Sequence, residues 1–265
     1  MSNIKVTLIQ TSLHWENPEA NREMLEKKIN KIKEPTEIII LPEVFTTGFT
    51  MEPANCADSN EGKTFRWMKQ TAAKKNTVIT GSIATKENDK FYNRLIWMQP
   101  DGNYYQYDKK HLFSFAGETK NYTPGKKRVI VEYKGWKILL LICYDLRFPV
   151  WCKNNFNPQN GFDYDCIINI ANWPAPRSNH WSILLMARAI ENQAYVAGVN
   201  RVGKDAKGTD HSGDSALINP LGEHLSTITP FEEKTETITM ERARLDDFRK
   251  KFGVANDWDK FKLIE

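Results

Sequence analysis

The 265-residue sequence contains no apolar run long enough to cross a membrane as a helix. Its longest such run extends only from Ile138 to Cys143, whereas a transmembrane helix needs about 20 apolar residues. The opening residues, MSNIKVTLIQ, also lack the charged, apolar and small-residue succession of a secretory signal. These absences argue against a helical membrane protein, and we expect a cytoplasmic one.

Patterns typical of metal sites and disulfide frameworks are missing as well. The four cysteines, at positions 56, 143, 152 and 166, form no C-x-x-C pair, and the five histidines form no H-x-x-x-H pair. Structural zinc sites and disulfide-rich domains show such regular spacing. We therefore expect reduced thiols, no metal and no cofactor.

No single sign of charge dominates the chain. Its 37 basic and 33 acidic residues are interspersed and leave a net charge of +4. Basic runs such as KKINKIK and GKKR are short, which is typical of solvated faces rather than of a nucleic-acid interface. With 40% hydrophobic and 26% charged residues, the composition is that of an ordinary globular protein. We expect a small-molecule substrate, and neither nucleic acid nor a membrane, as the partner.

Strand and helix patterns alternate along the whole length. IKVTLIQTSL predicts an opening strand and NPEANREMLEKKINKIK a helix. The apolar runs at 37–41, 138–142 and 166–170 predict strands that are buried on both faces. From about residue 246 we expect a helix followed by an extended end. Because no Pro/Ser-rich linker interrupts the pattern, one layered α/β domain over residues 1–265 is predicted.

Three of the predicted strands end in polar or reactive side chains. IIILPE ends at Glu43, LLLIC at Cys143 and IINIANW at Asn172 and Trp173. Strand ends in α/β proteins are where sites are built, because the sheet fixes positions while the loops stay open to a substrate. Each residue also has a structural interpretation, Cys143 as a packing residue and Glu43 as a turn residue. A thiol, a carboxylate and an ammonium group would suffice for cysteine-dependent acyl transfer.

Three motifs in order favour the chemical interpretation. LPEVFTTGF, YDKKHLF and LLLICYDLRFP resemble the nitrilase superfamily of carbon–nitrogen hydrolases, which has a Glu–Lys–Cys triad in that chain order. NWP and ARAIENQAYV are similar to its YafV-like omega-amidase branch, which hydrolyses the terminal amide of 2-oxo acid amides. The resemblance implies a four-layer α-β-β-α sandwich that dimerises through helices, with the C-terminal tail at the dimer interface.

The resemblance also implies a role for each matching residue. Glu43 matches the general base and acid, and Cys143 matches the nucleophile. Lys109, two residues before the histidine of the K-x-H-L-F motif, matches the lysine that stabilises the oxyanion, and the backbone N–H of Tyr144 would be a second donor. Glu118 in FAGET is the candidate for the family's second glutamate. A lysine close to the thiol should favour the thiolate.

Four further side chains are candidates for binding the substrate. Arg147 and Arg177 follow strands that lead to the site, and arginine can hold a carboxylate bidentately. Arg147 could instead form a structural ion pair with Asp145. Phe45 and Trp173 could be walls of the pocket, or they could belong to the core.

The leading prediction is a thiol amidase that releases ammonia from 2-oxoglutaramate or 2-oxosuccinamate through a Cys143 thioester. A nitrilase, a carbamoyl-amide hydrolase or another aliphatic amidase would share the same triad, so the triad alone cannot distinguish them. From other classes, the alternatives are a non-catalytic interaction protein on the same fold and a metal amidohydrolase. The first would be expected to lose a triad residue, and the second lacks a metal-ligand pattern. His111 and His180 are predicted to be structural.

Overall fold

Helices and strands alternate in residues 2–59 and 61–263, the part of the chain that the computed structural model describes. The helices are α1 (Pro18–Lys31), α2 (Lys63–Lys75), α3 (Glu118–Asn121), α4 (Pro149–Cys152), α5 (Ser178–Asn192) and α6 (Arg242–Lys251). The strands are β1 (Ile4–Gln10), β2 (Ile38–Ile40), β3 (Val78–Glu87), β4 (Lys90–Met98), β5 (Tyr104–Asp108), β6 (Ile130–Tyr133), β7 (Trp136–Ile142), β8 (Phe156–Asn157), β9 (Gly161–Phe162), β10 (Cys166–Ala171), β11 (Tyr195–Asn200), β12 (Val202–Lys204), β13 (Asp210–Ser212), β14 (Ala216–Ile218) and β15 (Lys234–Met240).

Most strands belong to two mixed sheets. The first sheet has six strands in the order β15-β1-β2-β3-β4-β5, and the second has five in the order β14-β11-β10-β7-β6. β2 lies between β1 and β3 and is parallel to both, and β10 lies in the same way between β7 and β11. The polar residues that follow β2, β7 and β10 therefore leave the carboxyl ends of parallel strands, where α/β proteins build their sites.

Alternate residues of the central strands belong to two different cores. In β2, Ile38 and Ile40 join the core between the two sheets, whereas Ile39 joins the core beneath α1 and α2. Burying an aliphatic side chain of this size contributes about 1.5–3 kcal/mol. Because both faces of β2 are buried, the strand is held rigidly where it leads to Glu43.

On the second sheet, α5 supplies the outer layer. Trp181, Leu185 and Ala189 recur at helical spacing and are fully buried. Gly198 of β11 permits this close approach, since a Cβ there would lie 2.5 Å from a methyl carbon of Leu185. The resulting order of layers, helices on a sheet, sheet on sheet, and a helix outside, confirms the predicted α-β-β-α sandwich.

The helix boundaries agree with the sequence patterns at one end of the chain better than at the other. α1 begins after Asn17, whose Oδ1 accepts a hydrogen bond from the N–H of Ala20 at 3.1 Å. The last α-helix begins at Arg242 rather than near residue 246, and a 3-10 turn, Val254–Asp257, follows it. Part of the end that was predicted to be extended lies outside the described residues. None of the helices within residues 2–59 and 61–263 has the length and apolarity needed to span a membrane.

Candidate active site

Cys143 lies at a strained turn directly after β7. It opens a 3-10 turn, Cys143–Arg147, and its backbone φ is +46°, in the left-handed region that non-glycine residues seldom occupy. The carboxylate of Asp145 accepts a hydrogen bond from the N–H of Ile142 at 3.0 Å. This bond closes the turn, so the strain presents the thiol at the end of the strand.

Asp145 also ties the turn to the lysine motif. Its two oxygens accept hydrogen bonds from the hydroxyl of Tyr107 at 2.7 Å and from the backbone N–H of His111 at 3.0 Å, and one oxygen lies 2.8 Å from Nδ1 of His111. The His111 ring stacks on Phe148 with centroids 3.7 Å apart. His111 therefore has the structural environment that we predicted. Asp145 is bound to these groups and is not an ion-pair partner of Arg147 among the described residues. The structural interpretation of Arg147 is therefore not supported.

Glu43 follows β2 on a second strained turn. Val44 has φ of +37°, unusual for a β-branched residue, and its N–H donates to Oγ of Ser82 at 2.7 Å. The Glu43 side chain is fully buried. Its carboxylate accepts hydrogen bonds from Asn93 Nδ2 at 2.8 Å and from the backbone N–H of Asn172 at 2.7 Å.

Lys109 lies between two carboxylates. Its Nζ is 2.9 Å from Glu43 Oε1, and 3.1 and 2.9 Å from the two carboxylate oxygens of Glu118. All three side chains are fully buried. Glu118 Oε2 accepts a further hydrogen bond from the N–H of Phe113 at 2.5 Å, so the second glutamate anchors both the lysine and the loop before α3.

Electrostatics keep the lysine charged and the thiol protonated. Burial alone would lower the pKa of Lys109, but the charges of Glu118 and Glu43 raise it well above its usual value. Burial raises the pKa of Glu118. The pKa of Cys143 is raised well above that of a free thiol by burial and by Glu43, which is both a negative neighbour and an acceptor for the thiol proton, whereas Lys109 lowers it. Lys109 favours the thiolate, as expected, but burial and the two carboxylates outweigh this one ammonium.

Cys143 opens into a cavity of about 350 Å³. Besides Cys143, the cavity lining is mainly aromatic, with prolines, cationic groups, one acidic residue and a few small or polar residues. These residues are Trp15, Phe49, Met51, Phe113, Phe115, Ala116, Tyr144, Arg147, Asn172, Trp173, Pro174, Pro176, Arg177, Asp205, Lys207, Thr209 and His211.

Of the predicted wall residues, Trp173 lines this cavity and Phe45 does not. Phe45 is fully buried in the core beneath α1 and α2, with its ring 5.9 Å from that of Trp67. Gly81 makes room for it, since a Cβ at that position would lie 2.8 Å from the Phe45 ring. The turn at Val44 sends Glu43 and Phe45 to opposite sides, so the expectation for Phe45 is corrected.

Two guanidinium groups face the cavity. Arg147 lies over the Trp173 ring at 4.6 Å, and one of its nitrogens is 3.2 Å from Nδ1 of His180. Arg177 lies 5.5 Å from the ring centroid of Phe113. Burial and the charge of Arg177 lower the pKa of Arg147. Among the described residues neither forms an ion pair with a carboxylate, so the pair offers a site for an anion.

A developing oxyanion would find donors next to the thiol. Tyr144 is the second residue of the 3-10 turn that Cys143 begins, and N–H groups in a first turn have no acceptor within the helix. The Lys109 ammonium would be the charged donor. In the described ranges, 2–59 and 61–263, no cluster of three or more His, Cys, Asp or Glu side chains is suited to a metal ion.

Comparison with known proteins agrees with this geometry. The carbon-nitrogen hydrolase family model matches residues 5–250. The chain belongs to the carbon–nitrogen hydrolase family.

Individual relatives of this carbon–nitrogen hydrolase cover most or nearly all of it. It is 44% identical to omega-amidase YafV of Escherichia coli K12 over 99% of this chain and 100% of the relative. It is 31% identical to the 2-oxoglutaramate amidase of Bacillus subtilis over 83% of this chain and 85% of the relative. Among solved structures, the CN-hydrolase superfamily protein XC1258 of Xanthomonas campestris, which carries an arsenic adduct in its active site, superposes with a TM-score of 0.97 at 40% identity, covering 99% of this chain and 100% of that one.

Three buried polar residues of the hydrolase site were not among the predicted site residues. Asn93 and Asn172 hold the Glu43 carboxylate, and Asp145 holds the turn that carries Cys143. Asn172 could have been identified from the sequence, because it is a polar residue at the end of an apolar strand. Asp145 lies in the CYD motif, whereas Asn93, within NRLIW, has no distinguishing pattern.

We predict that the folded hydrolase carries little thiolate near neutral pH. The folded pKa of Cys143 is raised and that of Cys56 is raised to about 11, so both thiols stay protonated at about pH 8.5, where a thiol in an unfolded chain is half ionised. Ultraviolet titration should show thiolate absorbance rising on unfolding at that pH. A thiolate signal at neutral pH that disappears in Cys143→Ala would contradict this.

Replacing Lys109 by Met should abolish most activity and weaken the fold. Without the ammonium, two buried carboxylates face each other, so we expect a loss of about 3–5 kcal/mol in unfolding free energy and about a hundredfold or more in kcat. The matched control is Lys110→Met, whose ammonium lies 5.4 Å from the Trp151 ring and outside the cavity. Its stability should stay within about 0.5 kcal/mol; equal losses in the two variants would refute the assignment of Lys109.

Proposed function

We propose that this hydrolase is an omega-amidase. It hydrolyses the terminal amide of small 2-oxo dicarboxylic acid monoamides, such as 2-oxoglutaramate and 2-oxosuccinamate, to the 2-oxo acid and ammonia. The observation that carries the proposal is one cavity in which the Cys143 thiol lies near two guanidinium groups that have no carboxylate partner among residues 2–59 and 61–263. The similarity to YafV over 99% of the chain supports the same reaction.

Acylation begins from the neutral thiol. Glu43 takes the proton from Cys143 as sulfur attacks the amide carbon, and the oxygen that becomes negative is held by Lys109 and by the N–H of Tyr144. The protonated Glu43 then gives its proton to the departing nitrogen, so ammonia leaves and a thioester remains. A raised thiol pKa suits this order, because the proton moves only when an electrophile is present.

Deacylation reuses the same groups. Glu43 takes a proton from water, the hydroxide attacks the thioester carbon, and the same two donors hold the second oxyanion. Collapse of this intermediate breaks the carbon–sulfur bond and returns the proton to Cys143. Glu118 stays in contact with Lys109 throughout and keeps the ammonium in place.

The cavity suits a short substrate with one anionic end. At about 350 Å³ it is near the small end of ligand pockets, which hold about 300–1,000 Å³. Arg147 and Arg177 would take the substrate carboxylate, and Trp173, which lies under Arg147, would be the wall beside it. The amide carbon would then lie at the other end of the molecule, at Cys143.

We also propose that the enzyme is a homodimer that acts in the cytoplasm. The outer face of α5 exposes Ile183 and Ile190, with Leu221 and Val150 also exposed, and apolar side chains on one face are typical of an interface. The C-terminal tail would lie at the same interface. A reduced Cys143 is needed for the reaction, which suits a reducing compartment.

The activity assay measures ammonia release by the wild type and by Cys143→Ala. The substrates are 2-oxoglutaramate, glutamine, asparagine and simple nitriles, and the wild type should favour the first, because only the 2-oxo amide combines the terminal amide with an uncharged position next to the carboxylate. Cys143→Ala should be inactive on all of them. If the wild type turns over the other compounds at least as fast, the substrate assignment fails.

Arg147→Met should impair binding of the carboxylate and leave the chemistry intact. A charge-assisted hydrogen bond is worth about 1.5–3 kcal/mol, so KM for 2-oxoglutaramate should rise about 10- to 150-fold. The kcat/KM of a neutral amide of similar length, such as butyramide, should hardly change. A parallel loss on both substrates would show that Arg147 supports the fold of the site rather than the carboxylate.

A further inference from the structure

The four lone-pair positions of the Glu43 carboxylate are not equally occupied. Oε1 accepts two hydrogen bonds, from Lys109 Nζ at 2.9 Å and from Asn93 Nδ2 at 2.8 Å. Oε2 accepts one, from the backbone N–H of Asn172 at 2.7 Å. Since a carboxylate oxygen has about two acceptor positions, Oε1 is saturated and Oε2 keeps one position for a proton.

Asn172, whose backbone N–H donates to Oε2, is also hydrogen-bonded to Glu43 through its side chain. The side-chain Nδ2 of Asn172 donates to the backbone oxygen of Glu43 at 2.5 Å. Its Oδ1 is buried and has no hydrogen-bond partner among the described residues. The side chain of Asn172 therefore makes one polar contact, and that contact joins the end of β10 in the second sheet to the end of β2 in the first.

We propose that Asn172 is a positioning residue: it holds the Glu43 carboxylate so that Oε2 exchanges the proton with Cys143. Its side chain clamps the two strand ends together, and its backbone N–H fixes the direction of Oε2. This inference rests on the proposed amidase reaction and adds to it the identity of the oxygen that carries the proton.

The proton route balances through one oxygen. In acylation the S–H bond of Cys143 breaks, an O–H bond forms at Oε2, and the sulfur electron pair forms the new bond to carbon. When the carbon–nitrogen bond breaks, the same O–H bond gives its proton to nitrogen. Lys109 and Asn93 keep Oε1 occupied, so the carboxylate does not need to rotate between the two transfers.

Asn200, whose side chain contacts Trp173, provides the control. Asn200 holds the residue that follows Asn172: its Oδ1 accepts from the N–H of Trp173 at 2.8 Å, and its Nδ2 donates to the Trp173 oxygen at 2.9 Å. Asn200 is buried, as Asn172 is, and its other side-chain hydrogen bonds go to the oxygen of Gly213 and come from the N–H of Arg201 rather than joining it to Glu43.

The experiment compares Asn172→Ala, Asn172→Leu and Asn200→Ala with the wild type on any amide that the wild type hydrolyses. A general base is worth about 10²–10⁴ in rate, so partial misdirection of Glu43 should lower kcat about 10- to 100-fold in both Asn172 variants, with KM changed less than about threefold. Leu keeps the branching of Asn at Cγ without a donor, which retains a testable variant if Ala fails to fold. In Asn200→Ala we instead expect KM to rise, because the loop that carries Trp173, a wall of the cavity, loses its side-chain partner.

A second measurement uses the 4-nitrophenyl ester of the same acid. The nitrophenolate leaves without a proton, whereas the amide nitrogen needs one from Glu43, so the Asn172 variants should lose more amide than ester hydrolysis. Unchanged kcat in the Asn172 variants, equal kcat losses in Asn200→Ala, or equal losses on amide and ester would overturn the inference. A wild type that prefers other amides would refute the substrate assignment and leave this comparison valid.

Discussion

The buried ammonium of Lys109 is the constraint on which the rest of the site depends. A lone cation would be very costly to bury without partners, and here Glu43 and Glu118 both lie within hydrogen-bonding distance of it. Two carboxyl groups and one ammonium therefore lie beside Cys143. The consequence is a thiol with a raised pKa beside the Glu43 carboxylate. In the proposed mechanism, Glu43 takes the thiol proton only while a substrate reacts.

This arrangement is supported by strand ends that come from both sheets. Glu43 follows β2 in the first sheet, and Cys143 and Asn172 follow β7 and β10 in the second. Backbone strain of the kind found at Val44 and Cys143 costs about 1–3 kcal/mol per residue. It persists because hydrogen bonds from buried groups hold each turn in place. Ser82 holds the first turn and Asp145 the second. The core between the sheets therefore does more than stabilise the fold, since it sets the distance between acid and thiol.

Much of this could be predicted from the sequence, for identifiable reasons. Ordered motifs marked Glu43, Lys109 and Cys143, and apolar runs marked the strands that carry them. Asn93 escaped prediction because its role is defined by a partner 50 residues away in the chain. Phe45 was assigned to the pocket wall because nothing in LPEVF reveals that the backbone turns at Val44. The adjacent lysine does lower the thiol pKa, as expected, but burial and the two glutamates raise that pKa further, and neither burial nor this balance is visible in a motif.

The central claim is that Cys143 carries the acyl group, while Glu43 transfers protons and Lys109 holds the oxyanion. Mass spectrometry of peptides from an acid-quenched reaction with 2-oxoglutaramate tests this most directly. The account predicts that the peptide containing Cys143 gains the mass of the 2-oxo acyl group, that the adduct disappears as substrate is exhausted, and that Cys56, Cys152 and Cys166 remain unmodified. Turnover with no adduct on Cys143 under any quench, or an adduct on another cysteine, would contradict it.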